Sequence, residues 1–201
     1  MPTKEIKQPQ KLGIEGRIEI LTYKAGTHDR MAPLVKKYLE ARDKFPELAK
    51  VLKEKIRTMY KAFEIREPHV QKNLIMQSAN HGMDLIIQRL CSSNTYSLNI
   101  AYGEIGTGTT AVALTDVALT TPTARVPVAV SQDSGYNEAI LQFFFPDSSL
   151  ANQTYTEFGT FVDGSASIGT GQLFNHALFV TPYTKSNGTD ITTQVTFTIS
   201  Q

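Results

Sequence analysis

Tryptophan is absent from this chain, and cysteine occurs only at Cys91. A single cysteine cannot form an intramolecular disulfide, so the fold must be stabilised by packing or by assembly, and we interpret Cys91 as a buried structural thiol. No apolar run approaches the roughly 18 residues that a membrane-spanning helix needs, and the polar start of the chain does not resemble a signal peptide. We therefore expect no membrane partner and no secretory leader.

Basic residues are scarce in the second half of the chain. Of 20 Lys and Arg residues, 18 lie within positions 1–90, and only Arg125 and Lys185 follow. With 11 acidic residues, positions 1–90 carry a formal charge of +7, whereas positions 91–201 carry 2 basic and 8 acidic residues, a charge of −6. Opposite charges on the two halves favour self-association or a protein partner over nucleic acid.

Thr, Ser, Gly, Val and Phe dominate after Cys91, a composition typical of β-structure. The last strand has the clearest pattern, because Ile191, Val195 and Phe197 share one face while Thr and Gln occupy the other. The chain has eight predicted strands, at residues 17–23, 73–76, 98–102, 125–131, 138–146, 155–162, 172–181 and 191–199. This set predicts an α+β fold built on an antiparallel β-sandwich with a packed helix and an inserted helical hairpin.

One strand is apolar on both faces. Leu141, Phe143 and Phe145 alternate with residues that include Ile140 and Phe144, so we expect both faces to be buried. One face would lie against the opposite sheet, and the other against a packed helix or a neighbouring subunit.

Helical patterns are confined to the first half. We predict that residues 1–16 form an N-terminal arm with little structure of its own. Residues 17–201 are predicted to form a β-sandwich domain. Within that domain we predict a helical insertion at about 27–68, in which Pro33 suits a first helical position. A further helix at about 79–90 is expected to pack on the sandwich. Its expected inner face consists of Met83, Ile86, Ile87 and Leu90.

The second helix of the insertion is amphipathic, with apolar residues at spacings of three and four opposite Lys50, Lys53 and Arg57. The first helix can bury only part of this stripe, so we expect a neighbouring subunit to bury the rest. The candidate interface comprises Leu48, Val51, Leu52, Ile56, Met59 and Phe63. The insertion lacks a dense run of one charge and a pattern of stacking aromatics, which argues against a nucleic-acid partner.

No motif indicates catalysis or metal binding. The glycine-rich segment 103–110 lacks the Lys of a phosphate-binding loop and precedes no strong helix. The four histidines show no two-ligand helical spacing, and the acidic residues of the second half are scattered rather than paired. We therefore expect no enzymatic activity, no cofactor and no metal site.

Arg125 and Glu157 are charged residues within otherwise apolar strands. Because charged groups are buried only when they are paired, we predict a structural ion pair between these two side chains.

A series of short motifs runs in order through the chain, at residues 16–21, 72–76, 83–90, 99–110, 116–119, 125, 143–145, 155–161, 171–174 and the closing Thr-rich strand. In this order they resemble a family of tailed-bacteriophage virion proteins found in tail, tail-fibre, baseplate or neck structures. The likeness covers the chain except about 27–68. In such proteins a short hairpin joins the two segments that flank this gap, so we expect Tyr23 and Lys72 to be neighbouring strand positions. One departure is that residues 120–124 lack the acidic residue that often precedes the arginine.

The resemblance implies a non-enzymatic structural subunit located in the virion. It would act as a homo-oligomer, a ring or a trimer, in contact with other virion structural proteins. The alternative is a carbohydrate-binding module or the receptor-binding tip of a fibre, because β-sandwiches support sugar sites on their loops. Such sites usually present an exposed aromatic platform, and the absence of Trp argues against one here.

Overall fold

A computed structural model describes residues 13–42, 44–93, 95–133 and 137–200. The strands are β1 (Gly13–Lys24), β2 (Glu64–Ile75), β3 (Ile100–Gly106), β4 (Pro122–Asp133), β5 (Glu138–Phe145), β6 (Thr154–Val162), β7 (Gln172–Thr184) and β8 (Thr189–Ser200). The helices are α1 (Thr27–Arg42), α2 (Pro46–Phe63) and α3 (Met83–Leu90). Each of the eight predicted strands overlaps an observed one. Residues 1–12 of the predicted arm lie outside the described residues, while Gly13 to Gly16 belong to β1.

The eight strands form one closed antiparallel barrel in the order β1-β2-β7-β6-β3-β4-β5-β8, so the predicted β-sandwich is wrong. Strands β4 and β2 close the barrel, because one part of each strand pairs with one neighbour and the remaining part pairs with the other. The first part of β4 pairs with β3 up to Pro127, and the rest pairs with β5 from Val128 onward. β2 pairs with β1 up to Asn73 and with β7 at its last two residues. Alternating apolar residues suit either architecture, and these corner strands decide between them.

The pairing of β2 with β7 is short. The paired residues are Leu74 with His176 and Ile75 with Asn175. Further along, side chains bridge the two strands: the Val180 amide donates to Gln71 Oε1 at 3.0 Å, and Arg66 Nη2 donates to the Thr184 carbonyl at 2.8 Å. We call this boundary the β2–β7 seam.

The barrel interior is filled by alternate residues of the strands. Its buried members include Ile18, Ile20, Leu141, Phe143, Phe145, Tyr155, Phe158, Ile191, Val195 and Phe197. Close packing leaves no room for a side chain at Gly103, where a Cβ atom would lie 2.7 Å from the Phe143 ring and 2.9 Å from the Phe158 ring.

The outer face of β5 is half-buried rather than buried. Ile140, Gln142 and Phe144 retain partial exposure, whereas Leu141, Phe143 and Phe145 on the other face are sealed. The expectation that both faces are buried therefore holds for the inner face alone. α1 covers part of the outer face, since the His28 ring stacks on Phe144 at a centroid distance of 4.2 Å.

α1 and α2 together form the α1–α2 pair, which connects β1 to β2. Tyr23 pairs with Glu64 at the ends of these strands, and Lys72 pairs with Arg17 further along. The expectation that Tyr23 and Lys72 are neighbours is therefore wrong, because β2 begins at Glu64 and includes residues assigned to the insertion. Pro33 lies inside α1 and not at its start.

α3 is shorter than predicted and packs differently. It begins at Met83, and Leu85 is its buried residue. Ile87 and Leu90, which were expected on the inner face, are exposed. Cys91 follows at the helix end and is exposed, so its interpretation as a buried thiol is wrong.

Candidate functional site

α1 crosses the outside of the barrel over three strands. Near its start, His28 Nε2 donates to the Ile191 carbonyl of β8 at 3.2 Å. The same ring stacks on Phe144 of β5, and Arg42 Nη1 at the helix end donates to the Ser131 carbonyl of β4 at 3.4 Å. The helix is thus attached at both ends and spans the β8-β5-β4 face.

An aromatic cluster holds the α1–α2 pair to the barrel. The Tyr23 and Tyr60 rings lie 5.0 Å apart, and the Tyr60 hydroxyl lies 3.3 Å from His28 Nδ1. A neutral ring with its proton on Nε2 satisfies both contacts of His28. Burial lowers the pKa of His28, an effect only partly opposed by the Ile191 carbonyl and the Asp190 carboxylate. Burial also raises the pKa of both tyrosines, so the cluster is uncharged at neutral pH.

A pocket of about 500 Å³ lies between the α1–α2 pair and the barrel; we call it the helix–barrel pocket. Aliphatic and aromatic side chains form most of its walls. They are Leu21, Tyr23, Val35, Tyr38, Ile56, Tyr60, Pro68, Val130, Ile140 and Phe144. On the other side of α1 a second depression of about 590 Å³ shares Val35 and Phe144 with it.

Gln142 and Gln194 lie on the floor of the helix–barrel pocket, in a row of polar side chains that continues onto β1. Gln142 Nε2 donates to Gln194 Oε1 at 2.9 Å, and Gln194 Nε2 donates to Glu19 Oε2 at 3.0 Å. Outside the pocket lining, Glu19 contacts Arg17 of the same strand at 2.5 Å. Gln142, Gln194 and Glu19 are register partners across β5, β8 and β1, so the register of the barrel fixes this row.

Basic residues of α2 line the mouth of this pocket. Lys53, Arg57 and Lys61 recur every four residues and therefore occupy one side of the helix. Arg57 Nη2 contacts Glu54 at 2.7 Å, and Lys61 contacts Glu64, the acidic lining residue, at 2.9 Å.

The residues of the predicted interface on α2 differ in how far they are exposed to solvent. Leu48 and Val51 are 51% and 65% exposed, whereas Leu52, Ile56, Met59 and Phe63 are half-buried. Near the turn between the helices, Phe45 and Leu39 are also exposed, by 60% and 38%. Leu39, Phe45, Leu48 and Val51 constitute what we call the turn patch. Its first two members were missed because Phe45 precedes the helix and Leu39 belongs to the stripe of α1.

The structure shows which charges of the two halves reach the surface. Residues 27–63 contain ten Lys and Arg against five acidic residues, and all those whose side chains are described are exposed. In the second half Glu104, Glu157 and Asp190 are buried, as are Lys185 and the Arg125 side chain. The basic character of the α1–α2 pair therefore faces solvent, whereas the buried charges of the second half include both signs.

The predicted ion pair between Arg125 and Glu157 is wrong, because each side chain has other partners. Arg125 Nη1 contacts Glu104 Oε1 at 2.5 Å, and its Nε and Nη2 donate to the carbonyls of Ser165 and Thr170 at 2.8 and 2.7 Å. The guanidinium also lies over the rings of Tyr102 and Phe161, 4.4 and 4.7 Å from their centroids. This contact holds the 163–171 loop against the barrel.

The Glu157 side chain binds the backbone of another loop. Its carboxylate accepts hydrogen bonds from the amides of Gly108, Thr120 and Thr121 at 3.0, 3.0 and 2.7 Å, and lies 3.1 Å from His176 Nε2. Burial alone would raise the pKa of Glu157, but these hydrogen bonds outweigh it and lower the pKa. Sequence indicated a buried acid here but not its partners, since backbone amides carry no residue-specific signal.

Among the described residues, the histidines and carboxylates form no recognisable metal centre. His176 lies between Glu157 and Asp116, with Nδ1 2.9 Å from Asp116 Oδ2, and it extends the same loop attachment. No group of three or more His, Cys, Asp or Glu residues within the described ranges could hold a metal ion. No helix in the described part of the chain is long and apolar enough to cross a membrane.

Comparison with protein-family models, with curated proteins and with solved structures gives no match to this chain.

Proposed function

We propose that this chain is a non-enzymatic structural subunit of a bacteriophage virion, in the tail, baseplate, fibre-attachment or neck region. It acts through contacts with further copies of itself and with other virion proteins. The observation that carries the proposal is the turn patch, an exposed apolar surface on helices that lie outside a closed barrel. The ordered motifs that resemble tailed-phage virion proteins support it.

The turn patch has the properties of an interaction surface. Phe45, Leu48 and Val51 are each at least half exposed, and they lie within two helical turns of one another. Clustered apolar side chains in contact with water favour burial against a partner. The barrel has its own core, so the patch contributes little to folding and is available for assembly.

Charge favours a head-to-tail contact. Two copies that packed α2 against α2 would bring Lys50, Lys53 and Lys55 close to the same residues of the partner, and like charges across an interface oppose binding. A heterologous contact, between the α1–α2 pair of one copy and a different surface of the next, avoids this repulsion. Repetition of such a contact around an axis gives a ring, and each interface would bury on the order of 1,600 Å².

The proposal is tested with a doubly substituted variant, Leu48→Asp with Val51→Asp. Both side chains are exposed, so we expect the far-UV circular dichroism and melting temperature of the purified subunit to be unchanged. We expect its oligomer, measured by native mass spectrometry, and its incorporation into particles to be lost. Ala62→Asp provides the control, because Ala62 is exposed on the same helix outside the turn patch.

Two results would overturn the proposal. One is incorporation of the double variant into particles at the level of the unsubstituted chain. The other is absence of the unsubstituted chain from purified virions by mass spectrometry.

A further inference from the structure

We propose that the helix–barrel pocket binds a small amphipathic anion, a molecule with an aliphatic body and a terminal carboxylate. This site is separate from the turn patch and does not depend on the proposed assembly role. Its ligand is defined by three properties of the pocket: its size, its aliphatic walls and its basic mouth.

The size and position suit a small molecule. A volume of about 500 Å³ lies within the range of roughly 300–1,000 Å³ typical of ligand pockets. The pocket lies between two units that are joined by the aromatic cluster of Tyr23, His28, Tyr60 and Phe144. Because this cluster and the strand register fix the opposite walls, the cavity is formed before a ligand arrives.

The walls favour an aliphatic body. Leu21 of β1, Val35 of α1, Ile56 of α2, Val130 of β4 and Ile140 of β5 all contribute to the lining. Each methylene removed from water strengthens binding about fourfold, by the usual value of roughly 0.8 kcal/mol. A ligand two methylenes longer should therefore bind about 15-fold more tightly while the pocket still has room.

The floor argues against a saccharide. Gln142 and Gln194 each use one amide N–H along the row that leads to Glu19, so only part of their hydrogen-bonding capacity remains for a ligand. A sugar would need several such groups in place of water. With aliphatic and aromatic side chains forming most of the walls, the pocket is better suited to a hydrocarbon chain.

The mouth selects the charge of the ligand. Lys53, Arg57 and Lys61 line it, against one acidic lining residue, Glu64. Lys61 is paired with Glu64 at 2.9 Å and Arg57 with Glu54 at 2.7 Å, so the excess positive charge comes from Lys53. A carboxylate at the mouth would gain charge-assisted hydrogen bonds, whereas an ammonium group would be repelled.

Isothermal titration calorimetry of the full chain with decanoate, below its micelle concentration, tests the site. We expect saturable binding of decanoate at one site, roughly 15-fold weaker binding of octanoate, at least about tenfold weaker binding of decylamine, and no binding of maltotriose. Absence of decanoate binding, equal binding of decanoate and decylamine, or preferential binding of maltotriose would each overturn the proposal.

Substitutions then locate the site. Ile140→Trp should fill the pocket and abolish decanoate binding, and Lys53→Gln should weaken it by about tenfold through loss of a charge-assisted contact. Lys55→Gln is the matched control, since Lys55 is exposed on the same helix and does not line the pocket. Unchanged affinity in both pocket variants would contradict the assignment. Should Ile140→Trp fail to fold, nuclear Overhauser contacts between decanoate methylenes and the Phe144 and Tyr60 rings decide the question, and their absence would refute the site.

Discussion

Glu104 and Arg125 form an ion pair that solvent does not reach. Their side chains are 0% and 1% exposed, and the two residues are directly paired on β3 and β4. Glu104 also accepts the Gly169 amide at 2.7 Å, so a single carboxylate joins the arginine to the 163–171 loop. A charge in such a position depends on its partner, because water cannot replace it.

We expect Arg125→Ala to destabilise the protein by about 3–5 kcal/mol, since it leaves the Glu104 carboxylate buried without its counterion. Urea unfolding followed by far-UV circular dichroism measures the change. Arg17→Ala is the control, because the Arg17 side chain is 57% exposed and its pair with Glu19 should contribute less than about 1 kcal/mol. Equal effects of the two substitutions would contradict the importance assigned to the buried pair.

Glu157 should make the free energy of unfolding depend on pH in the acidic range. Its pKa is lowered in the fold, so its contribution is present above the ordinary carboxyl pKa of about 4.3 and is lost as the pH falls through the folded value. Glu157→Gln should reduce stability at neutral pH and flatten its decline below about pH 4. Glu47→Gln, at an exposed position of α2, should leave the profile unchanged. A parallel decline in wild type and the Glu157 variant would show that this residue is not responsible.

His28 should also make the stability of the protein depend on pH, at less acidic values than Glu157 does. Because burial lowers its pKa, the unfolded chain binds the proton more tightly, and the stability it contributes is present above about pH 6.5 and decreases as the pH falls below that value. The decrease in melting temperature between pH 7 and 5 should be smaller in His28→Gln, measured in one buffer series. His81→Gln is the comparison, and an identical decrease in all three proteins would refute the role of His28.

Phe143 and Phe144 test the two faces of β5. Phe143 is fully buried in the barrel interior, so Phe143→Ala should cost about 3–5 kcal/mol. Phe144→Ala should cost less, about 1–3 kcal/mol, because its ring borders the pocket and loses mainly the stack on His28. Chemical denaturation of both variants measures the difference. A larger loss for Phe144 would mean that the α1–α2 pair contributes more to the core than its partial exposure indicates.

Replacement of residues 26–63 by a two-residue Asn-Gly turn should leave a folded barrel. Tyr23 and Glu64 are already paired, so a short connection can join β1 to β2, and a shorter loop has a smaller closure entropy. The variant should be less stable because Leu21 and Phe144 become exposed. Circular dichroism and size-exclusion chromatography distinguish the outcomes, and an unfolded product would show that the barrel requires its helices.

Sequence patterns located the strands but not their closure. The alternation of Ile191, Val195 and Phe197 places one face of β8 inward whether the strands form a sandwich or a barrel. Closure depends on where β4 changes partner between Pro127 and Val128; a proline, which cannot donate to a ladder, indicates an interruption there but not which strand pairs next. For this reason the strand positions were predictable and the architecture was not.

The candidate site shows the same limit. The apolar stripe of α2 predicted an exposed surface, and Leu48 and Val51 are exposed. The helix–barrel pocket could not be predicted, because it depends on how far the α1–α2 pair lies from β5 and β8. The partner of Arg125 was unpredictable for the same reason. Its burial was expected from its apolar neighbours, but only the strand pairing identifies Glu104 as its nearest carboxylate.

We expect the barrel to open first at the β2–β7 seam, where only two residue pairs join the strands. A closed barrel has no free edge, so local fluctuations begin where the ladder has the fewest backbone hydrogen bonds. At this seam two side chains, Gln71 and Arg66, replace part of the ladder, and side-chain contacts break more readily than a continuous run of strand pairs. Amide hydrogens of β7 that face β2, above all that of Val180, should therefore exchange with solvent faster than those between β1 and β8. Local opening of the barrel would then begin along this seam.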